Sequence, residues 1–399
     1  MSGRTADAAV LVVGAGPSGA ALALRLARAG VEVALVERRR HPRDKPCGEC
    51  LNPGAVEQLR RLGLDTAVRE RLEPAPLRGW CLRAERGHRA LGLFGERAGP
   101  GWAVPRRALD ALLAEAAVDA GARLVAPATA EGVEPAPEGP GSPPRVTVRH
   151  RDGRLSVHRP RLVVGADGLR TRVGRALDGG PRPGRLRKAS LTCRVEGAGP
   201  ERDVGHLVLG DGWTVGLAAV HARDPLWNAT VVVDPLRWSR ALAADPAALH
   251  RERLEAAGFA WVQPPRVVGG PWASGPFHMP ARRAVGDGML LVGDAAGYFD
   301  PLTGQGIYRA LLSAELAAPV VVAALAQPGA VDAGRLRPYE RALARALRRG
   351  RGVQRVVEAV VSHPRLRDAA IAWLGRHPAW AGRLVRLTGD CSARRGRAT

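Results

Sequence analysis

The chain has 399 residues, of which 46% are hydrophobic and 25% are charged, so it can bury a sizeable core and is not globally disordered. Its formal net charge is +22, and half of this excess lies in residues 331–399, where 16 arginines accompany five acidic residues. No recognition motif accompanies the charge, which argues against nucleic acid as a partner. Five cysteines, an odd number, argue against a secreted disulfide framework.

The apolar runs of the chain are short. The first, residues 8–13, leads straight into glycine and is too short for a signal peptide, and the run 316–326 contains Pro319 and falls short of a membrane span. We therefore expect a cytoplasmic protein, with peripheral association with a membrane left open. The basic C-terminal region is interpreted either as a solvated arginine-rich helical face or as a docking surface for an acidic carrier protein or an anionic membrane.

The first 36 residues predict one βαβ unit. A continuous apolar run at 8–13 is typical of a strand buried on both faces of a parallel sheet. It is followed by a helix over 20–29 and a strand over 31–36.

The rest of the chain alternates between helices and strands. We predict helices over 55–72, 106–120, 236–257, 305–325 and 335–390. The predicted strands are 76–104 in a second sheet, a hairpin of 146–150 with 155–158 around Asp152-Gly153, 162–166, the three runs 191–195, 206–220 and 230–233, and 289–292. The Pro/Gly/Glu-rich stretch 126–144 predicts a loop.

A glycine fingerprint joins the first strand to the first helix. Its glycines permit a tight turn and the close approach of a pyrophosphate, and the helix N-terminus offers N–H donors and a positive dipole. Glu37, eighteen residues after the last glycine, is placed to accept a hydrogen bond from a ribose hydroxyl. The predicted cofactor-binding residues of this segment are Gly14, Ala15, Gly16, Ser18, Gly19 and Glu37.

A second, distant motif indicates which dinucleotide binds. Residues 288–297 predict a buried strand that ends at Asp294, and residues 300–307 form a glycine-rich turn that opens a helix. This arrangement suits a cofactor with a polyol arm and a ring system. It favours FAD over NAD.

The order of three motifs resembles the FAD-dependent monooxygenase superfamily, whose members are similar in fold to para-hydroxybenzoate hydroxylase. The motifs are the fingerprint, Gly165-Ala166-Asp167-Gly168, and Gly293-Asp294 with Pro301 to Gly306. The segment Lys45-Pro46-Cys47-Gly48-Glu49-Cys50 is similar to the geranylgeranyl reductase branch, as is 301–307. The flavin-dependent halogenases belong to the same superfamily.

The resemblance implies roles for individual residues. Glu37 would bind the adenosine ribose with Arg38 near the adenine, and Asp294 would hold a ribityl hydroxyl. Arg106 would lie near the pyrophosphate or the ribityl chain, and Asp167 near the pyrophosphate, although Asp167 could also simply cap the turn after a strand. The backbone N–H groups that would meet the flavin pyrimidine edge, where a helix N-terminus stabilises negative charge, belong to Gly304, Gln305, Gly306 and Ile307.

The loop around Glu49 supplies the candidate catalytic residues. By resemblance it approaches the isoalloxazine, where Glu49 could act as an acid or base or could pair with an arginine. Cys47 and Cys50 could be unpaired thiols beside the active site, a redox-active pair or, least favoured, metal ligands, and we expect no metal.

The stretch 211–216 lies where related reductases and halogenases carry aromatic motifs, and neither motif is intact. Trp213 is therefore a candidate substrate contact, with a place in the sheet core as the alternative.

The predicted fold class is α/β: a Rossmann-like FAD-binding domain, an interleaved antiparallel β-sheet substrate domain and a C-terminal helical region. The predicted function is that of an FAD-dependent oxidoreductase, foremost a monooxygenase that oxygenates an apolar or aromatic small molecule, free or bound to a carrier protein, in biosynthesis, with NAD(P)H or a reductase partner as electron source. The alternatives are an alkene reductase of the geranylgeranyl reductase type, a halogenase, and an FAD-binding partner protein docked through its basic tail. The predicted segments are 1–75, 101–185 and 271–330 for FAD, 76–100 and 186–270 for substrate, and 331–399 for the basic helices.

Overall fold

A six-stranded sheet organises the N-terminal motif and the Asp294 motif in one layer. The computed structural model describes residues 8–139, 141–179, 188–277, 283–298, 302 and 304–389. Neighbouring strands are parallel except for the first pair, and the spatial order is β18 (Val285–Gly286), β19 (Met289–Leu291), β12 (Leu162–Gly165), β1 (Val10–Val13), β2 (Val33–Val36) and β8 (Arg123–Val125).

The register of this sheet brings its functional segments together. Val13 lies opposite both Gly165 and Val36, and Gly165 lies opposite Leu291. Because parallel strands end at the same edge, the segments that follow β1, β2, β12 and β19 meet there. The predicted α/β class with a Rossmann-like FAD-binding layer is confirmed.

A seven-stranded sheet forms the second layer, and it is antiparallel apart from the β14/β5 pair. Its order is β17 (Arg266–Ser274), β13 (Ala189–Glu196), β16 (Leu226–Val233), β15 (Trp213–Ala219), β14 (Gly205–Leu209), β5 (Gly79–Ala84) and β6 (Arg89–Leu93). The single strand predicted at 206–220 was wrong, because Gly212, at φ +76°, turns the chain between β14 and β15.

Two three-stranded sheets complete the β-structure. One consists of β3 (Cys50–Leu51), β7 (Gly101–Ala103) and β4 (Ala75–Leu77), so only part of 76–104 belongs to the large second sheet. The other consists of β11 (Leu155–His158), β10 (Arg145–His150) and β9 (Ala128–Glu134). The predicted β10/β11 hairpin is confirmed, whereas the loop predicted at 126–144 contains β9, which pairs with β10.

The predicted long helices are divided by local breakers. Gly63, at φ +69°, separates two helices, Asp245 caps the second of another pair, and Pro364 and Pro378 each begin a new helix near the C-terminus. The helices are α1 (Pro17–Arg28), α2 (Pro53–Arg61), α3 (Asp65–Leu72), α4 (Arg106–Asp119), α5 (Arg172–Asp178), α6 (Ser239–Ala244), α7 (Pro246–Ala256), α8 (Gly306–Ala326), α9 (Ala333–Val361), α10 (Pro364–Arg376) and α11 (Pro378–Thr388).

Helix α8 is the long apolar helix that follows the Asp294 motif. Within the described residues, it alone is long and apolar enough to cross a membrane by length and composition. It lies against α1, α2 and α9, and half of its apolar window is buried. Core helices of globular proteins have the same composition, and the packing of α8 is of that kind.

Candidate FAD and active site

The turn between β1 and α1 combines close backbone packing with one open position. A Cβ on Gly14, which has φ +103°, would lie 2.5 Å from the Ala166 carbonyl oxygen, and one on Gly19 would lie 1.9 Å from the Gly14 carbonyl oxygen. A Cβ on Gly16 would meet only the Arg43 guanidinium, at 3.9 Å. Gly14 and Gly19 are therefore required by the fold, whereas the space beside Gly16 is left for a ligand.

Glu37 closes the outer end of the cleft after β2. Its buried carboxylate accepts hydrogen bonds from the backbone N–H of Ala15 at 3.0 Å and of Arg39 at 3.1 Å, and the Arg43 guanidinium lies 3.5 Å away. Arg38 is exposed at this end. The predicted ribose-binding carboxylate is thus fixed in place at the edge of the glycine turn.

Asp167 lies at the end of β12, beside the glycine turn. Its Oδ2 accepts a hydrogen bond from the Arg172 N–H at 2.6 Å, as the capping interpretation predicts, and Thr171 caps α5 through the Gly174 N–H. Its Oδ1 is buried without a partner among the described residues. Burial raises the pKa of Asp167. The open oxygen fits a donor from a ligand.

Asp294 follows β19 within a 3₁₀ turn, Gly293–Ala296. The Gly293 N–H donates to the Ser313 hydroxyl of α8 at 2.8 Å, and Ser18 lies directly against Gly293, so α1 and α8 both hold this turn. The Asp294 carboxylate interacts electrostatically with the ammonium group of Lys45. Burial lowers the pKa of Lys45, an effect that Arg106 reinforces and Asp294 opposes.

The N-terminus of α8 faces the same edge of the sheet. Gly304 has φ +63°, and a Cβ on Gly306 would meet nothing within 4 Å. Gln305 is buried, and its side-chain oxygen accepts a hydrogen bond from Gln354 of α9 at 3.0 Å. The first turn of α8, at Gly306 and Ile307, therefore begins beside an open position, and the N–H groups of a first turn have no partner within their own helix. The motif residues Asp300, Pro301 and Thr303 lie outside the described residues.

Arg106 is locked by a carboxylate one helical turn away. Its guanidinium donates to both oxygens of Asp110, at 2.7 and 2.9 Å, and both side chains are buried. Arg106 also contacts the Cys47 thiol. Its positive charge lowers the pKa of Lys45. The predicted cofactor-facing arginine therefore joins the start of α4 to the 41–50 loop.

Glu49 anchors that loop. It has φ +57° and is almost fully buried. Its Oε1 accepts from the Arg106 backbone N–H at 2.7 Å and from Arg194 Nη2 at 2.5 Å, while its Oε2 accepts from Asn228 Nδ2 at 3.1 Å. Burial raises the pKa of Glu49, and Arg194 opposes the rise. Because both oxygens are engaged, Glu49 positions the loop more than it offers an acid or base.

Two partners of Glu49, Arg194 and Asn228, were not predicted from the sequence. Arg194 of β13 also binds Asp44 at 2.9 Å, and Asn228 of β16 also donates to the Cys47 carbonyl oxygen at 2.8 Å. An arginine in the middle of β13 and an asparagine within β16 were the available signals. Through these contacts Arg194 and Asn228 hold the 41–50 loop between the two large sheets.

The two cysteines of the loop differ in environment, and both are free thiols. Cys50 is buried in the core of the second sheet and donates to the Gly48 carbonyl oxygen at 3.1 Å, and burial raises the pKa of its thiol. Cys47 is partly exposed. A buried thiol with a raised pKa is unreactive, so of the pair Cys47 is the better candidate for chemistry.

Trp213 lies in the core of the second sheet. Its side chain is buried, Gly210 packs directly against its ring, and the Arg253 guanidinium lies 5.7 Å above the ring centre. This position favours the core interpretation, and a contact between Trp213 and substrate stays a prediction.

Comparison with known proteins identifies the family. The family described as "FAD binding domain" matches residues 7–341. The chain belongs to this FAD-binding family. The glycine turn, Glu37 and Asp294 all lie within the matched residues.

The relatives of this FAD-binding protein include reductases. It is 32% identical to the menaquinone reductase of Mycobacterium tuberculosis (strain CDC 1551 / Oshkosh) over 79% of this chain and 76% of that one. It is 30% identical to digeranylgeranylglycerophospholipid reductase 2 of Methanopyrus kandleri, over 79% and 77% of the two chains. The solved structure of the flavin-dependent brominase Bmp2 shares the fold, with a TM-score of 0.73 and 17% identity over 96% and 94% of the chains.

The residues of the cleft fit FAD. Space is left beside Gly16 and Gly306, and two polar atoms near the glycine turn, Asp167 Oδ1 and the Arg43 Nε, are buried with no partner in the part of the chain that the structure describes. These atoms suit the pyrophosphate and ribose of a dinucleotide. The protein is an FAD-dependent oxidoreductase by family.

Proposed function

We propose that the protein is an FAD-dependent reductase that adds two hydrogens to a carbon–carbon double bond of a prenyl-type lipid. The observation that carries the proposal is the 30–32% identity, over about four-fifths of the chain, to two proteins named as reductases. The name of one relative specifies a geranylgeranyl lipid. The similarity to the brominase supports the fold alone and does not favour oxygenation. Oxygenation, which the sequence favoured, is the competing outcome of the test below.

The cofactor would be held by the residues of the cleft. Glu37 and the glycine turn would bind the adenosine and pyrophosphate, Asp294 a ribityl hydroxyl, and the N-terminus of α8 the ring edge. Reduced FAD supplies a hydride when it is bound. The electrons would come from NAD(P)H or from a reductase partner.

The chain itself would supply the proton. Cys47 is partly exposed in a loop that Glu49 fixes, and its thiol contacts the Arg106 guanidinium. Saturation of one double bond needs a hydride on one carbon and a proton on the other. The Cys47 Sγ–H would give that proton, Arg106 would stabilise the thiolate left behind, and water would reprotonate it.

Product mass distinguishes reduction from oxygenation. We would incubate the FAD-loaded protein with dithionite and geranylgeranyl diphosphate under anaerobic conditions, and in parallel with NADPH in air. Reduction predicts a product heavier by two hydrogens per saturated double bond in the anaerobic reaction. A product heavier by one oxygen atom, formed only in air, would overturn the proposal.

The role of Cys47 has its own variant. Cys47→Ser should lower turnover at least tenfold while FAD content and the flavin absorbance spectrum stay unchanged. Cys81→Ser, in β5, is the matched control and should turn over at the wild-type rate. Equal turnover of Cys47→Ser would assign the proton to another donor.

A further inference from the structure

The two C-terminal helices expose large apolar side chains. The exposed fractions are 57% for Leu366 and 42% for Trp373 on α10, and 50% each for Trp380 and Leu387 on α11. Their spacing of seven residues within each helix puts each pair on one helical face. We call these four residues, with the arginines around them, the α10–α11 face.

The opposite sides of both helices are already used for packing. Ile371, Ala381 and Val385 are buried, and both helices lie against β6. The contact is close: a Cβ on Gly92 of β6 would lie 2.6 Å from the Ala381 carbonyl oxygen. The helices cannot rotate to bury their tryptophans without leaving the second sheet.

The exposed rings form one cluster across the junction of the helices. The ring centres of Trp373 and Trp380 are 6.1 Å apart, and His377 stacks on Trp373 at 4.3 Å. The Arg383 guanidinium lies 5.1 Å from the centre of the Trp380 ring. The cluster is therefore aromatic at its centre and cationic at its rim.

The charge of this segment is one-sided. Residues 362–389 contain five arginines and one acidic residue. That acid, Asp368, is buried and paired with Arg367 at 3.0 Å. The exposed charges on the two helices are therefore positive, and they are Arg365, Arg376, Arg383 and Arg386.

We propose that the α10–α11 face docks the protein on the surface of an anionic phospholipid bilayer. Indole rings prefer the boundary between headgroups and acyl chains, and arginines at the rim reach the phosphates while their stems lie on apolar surface. Acidic groups alone would pair with the arginines only, whereas a bilayer offers phosphates to the arginines and acyl chains to the leucines and indoles. The bilayer accounts for both features.

The α10–α11 face is connected to the loop that borders the cofactor cleft. The Asn52 side chain donates to the Thr388 carbonyl oxygen at 3.4 Å, and the Gly54 N–H donates to the Gly389 carbonyl oxygen at 3.3 Å. The end of α11 is thus bonded to the chain that directly follows Cys50. Docking would hold this side of the cleft near a lipid surface.

Vesicle binding tests the proposal without substrate or turnover, so its outcome is independent of the proposed reaction. We would measure co-sedimentation of the full FAD-loaded chain with vesicles of phosphatidylcholine alone and with added phosphatidylglycerol. We expect binding to the anionic vesicles that weakens with salt. Failure to bind anionic vesicles, or equal binding to both compositions, would overturn the proposal.

Two sets of variants locate the surface. Trp373→Ser with Trp380→Ser should weaken vesicle binding at least tenfold, and Arg383→Gln with Arg386→Gln should weaken it about fivefold per arginine. Leu236→Ser with Val262→Ser removes apolar side chains that are 67% and 79% exposed elsewhere, and should bind as the wild type does. Retained flavin absorbance and far-UV circular dichroism would show that each variant is folded. Wild-type binding by the tryptophan variant would refute this face as the docking surface.

Discussion

Glu49 adopts a φ of +57°, which residues with a side chain rarely take and which costs about 1–3 kcal/mol. Three donors, from Arg106, Arg194 and Asn228, hold it there. Each donor comes from a different element, so the carboxylate joins α4 and two strands of the second sheet to the loop. The strain is therefore localised at the contact that positions Cys47.

Replacing the Glu49 carboxylate, which accepts three hydrogen bonds, by an amide should destabilise the fold. In Glu49→Gln, Arg194 keeps only Asp44 as an acidic partner. The new amide N–H₂ group would also face the N–H groups that donate to Glu49, and it cannot accept from them. We therefore expect a loss of about 3 kcal/mol in the free energy of unfolding. The matched control is Glu131→Gln, which breaks an exposed ion pair with Arg149 and should cost less than about 1 kcal/mol. Denaturant unfolding of the apoproteins measures both. Equal losses would contradict the anchoring role.

Asp110 should make stability depend on acid pH. Burial alone would raise its pKa, but the charge and hydrogen bonds of Arg106 outweigh burial and lower it. The pair therefore stabilises the fold above the ordinary pKa of an aspartate, about 3.9, and this stabilisation is lost as the pH falls through the lower folded value. We expect the difference in unfolding free energy between wild type and Asp110→Asn to be constant above about pH 5 and to shrink below about pH 4. A difference that stays constant down to the acid limit would argue against the pair.

Residues whose role depends on the local backbone could be predicted from the sequence, whereas residues that act across the fold could not. Gly14 and Gly19 were predictable, because a fixed turn between a strand and a helix requires them. Arg194 was not, because it meets Glu49 across 145 residues of chain. Only the pairing of β13 with its neighbours brings the arginine to the loop.

At the scale of elements, turn glycines and prolines account for most differences between prediction and structure. The run 206–220 has continuous strand character, but Asp211-Gly212 is a hairpin signal that divides it. Strand β9 was missed because its sequence, Ala128–Glu134, contains few strand-forming residues, and its pairing with β10 determines its conformation. Tertiary pairing outweighs local propensity there.

The β1–α1 turn permits a substitution that separates cofactor binding from folding. Gly16 has a negative φ and room for a methyl group, so Gly16→Ala should leave the apoprotein within about 0.5 kcal/mol of wild-type stability. The added methyl would occupy the space that we assign to the pyrophosphate. We expect FAD affinity to fall at least tenfold, or about 1.4 kcal/mol.

Titration of the apoprotein by flavin fluorescence measures this change. Gly132→Ala, in β9, has similar room and is the matched control, which should bind FAD normally. Unchanged FAD affinity of Gly16→Ala would place the pyrophosphate elsewhere.

At the scale of the whole molecule, the cleft is assembled from segments far apart in the chain. The first turn, the 41–50 loop, the start of α4, the end of β12 and the Asp294 turn all contribute to it. The fold class was predictable because strand order and motif order are both readable in the sequence. The closure of the cleft by the second sheet was not predictable. It depends on contacts of β13 and β16 with the irregular 41–50 loop.

Because the cleft joins these distant segments, we expect a bound ligand to stabilise the whole chain against unfolding. The stabilisation should be larger for a ligand that spans more of the cleft. FAD at 100 times its dissociation constant should raise the free energy of unfolding by about 2.7 kcal/mol. FMN, which lacks the adenosine that Glu37 would bind, and ADP, which lacks the flavin that α8 would meet, should each stabilise less at equal concentration. Thermal unfolding of the apoprotein across a concentration series of the three ligands measures the effect. If ADP stabilises the chain as strongly as FAD does, Asp294 and the N-terminus of α8 contribute nothing to binding, and the assignment of the flavin to that end of the cleft fails.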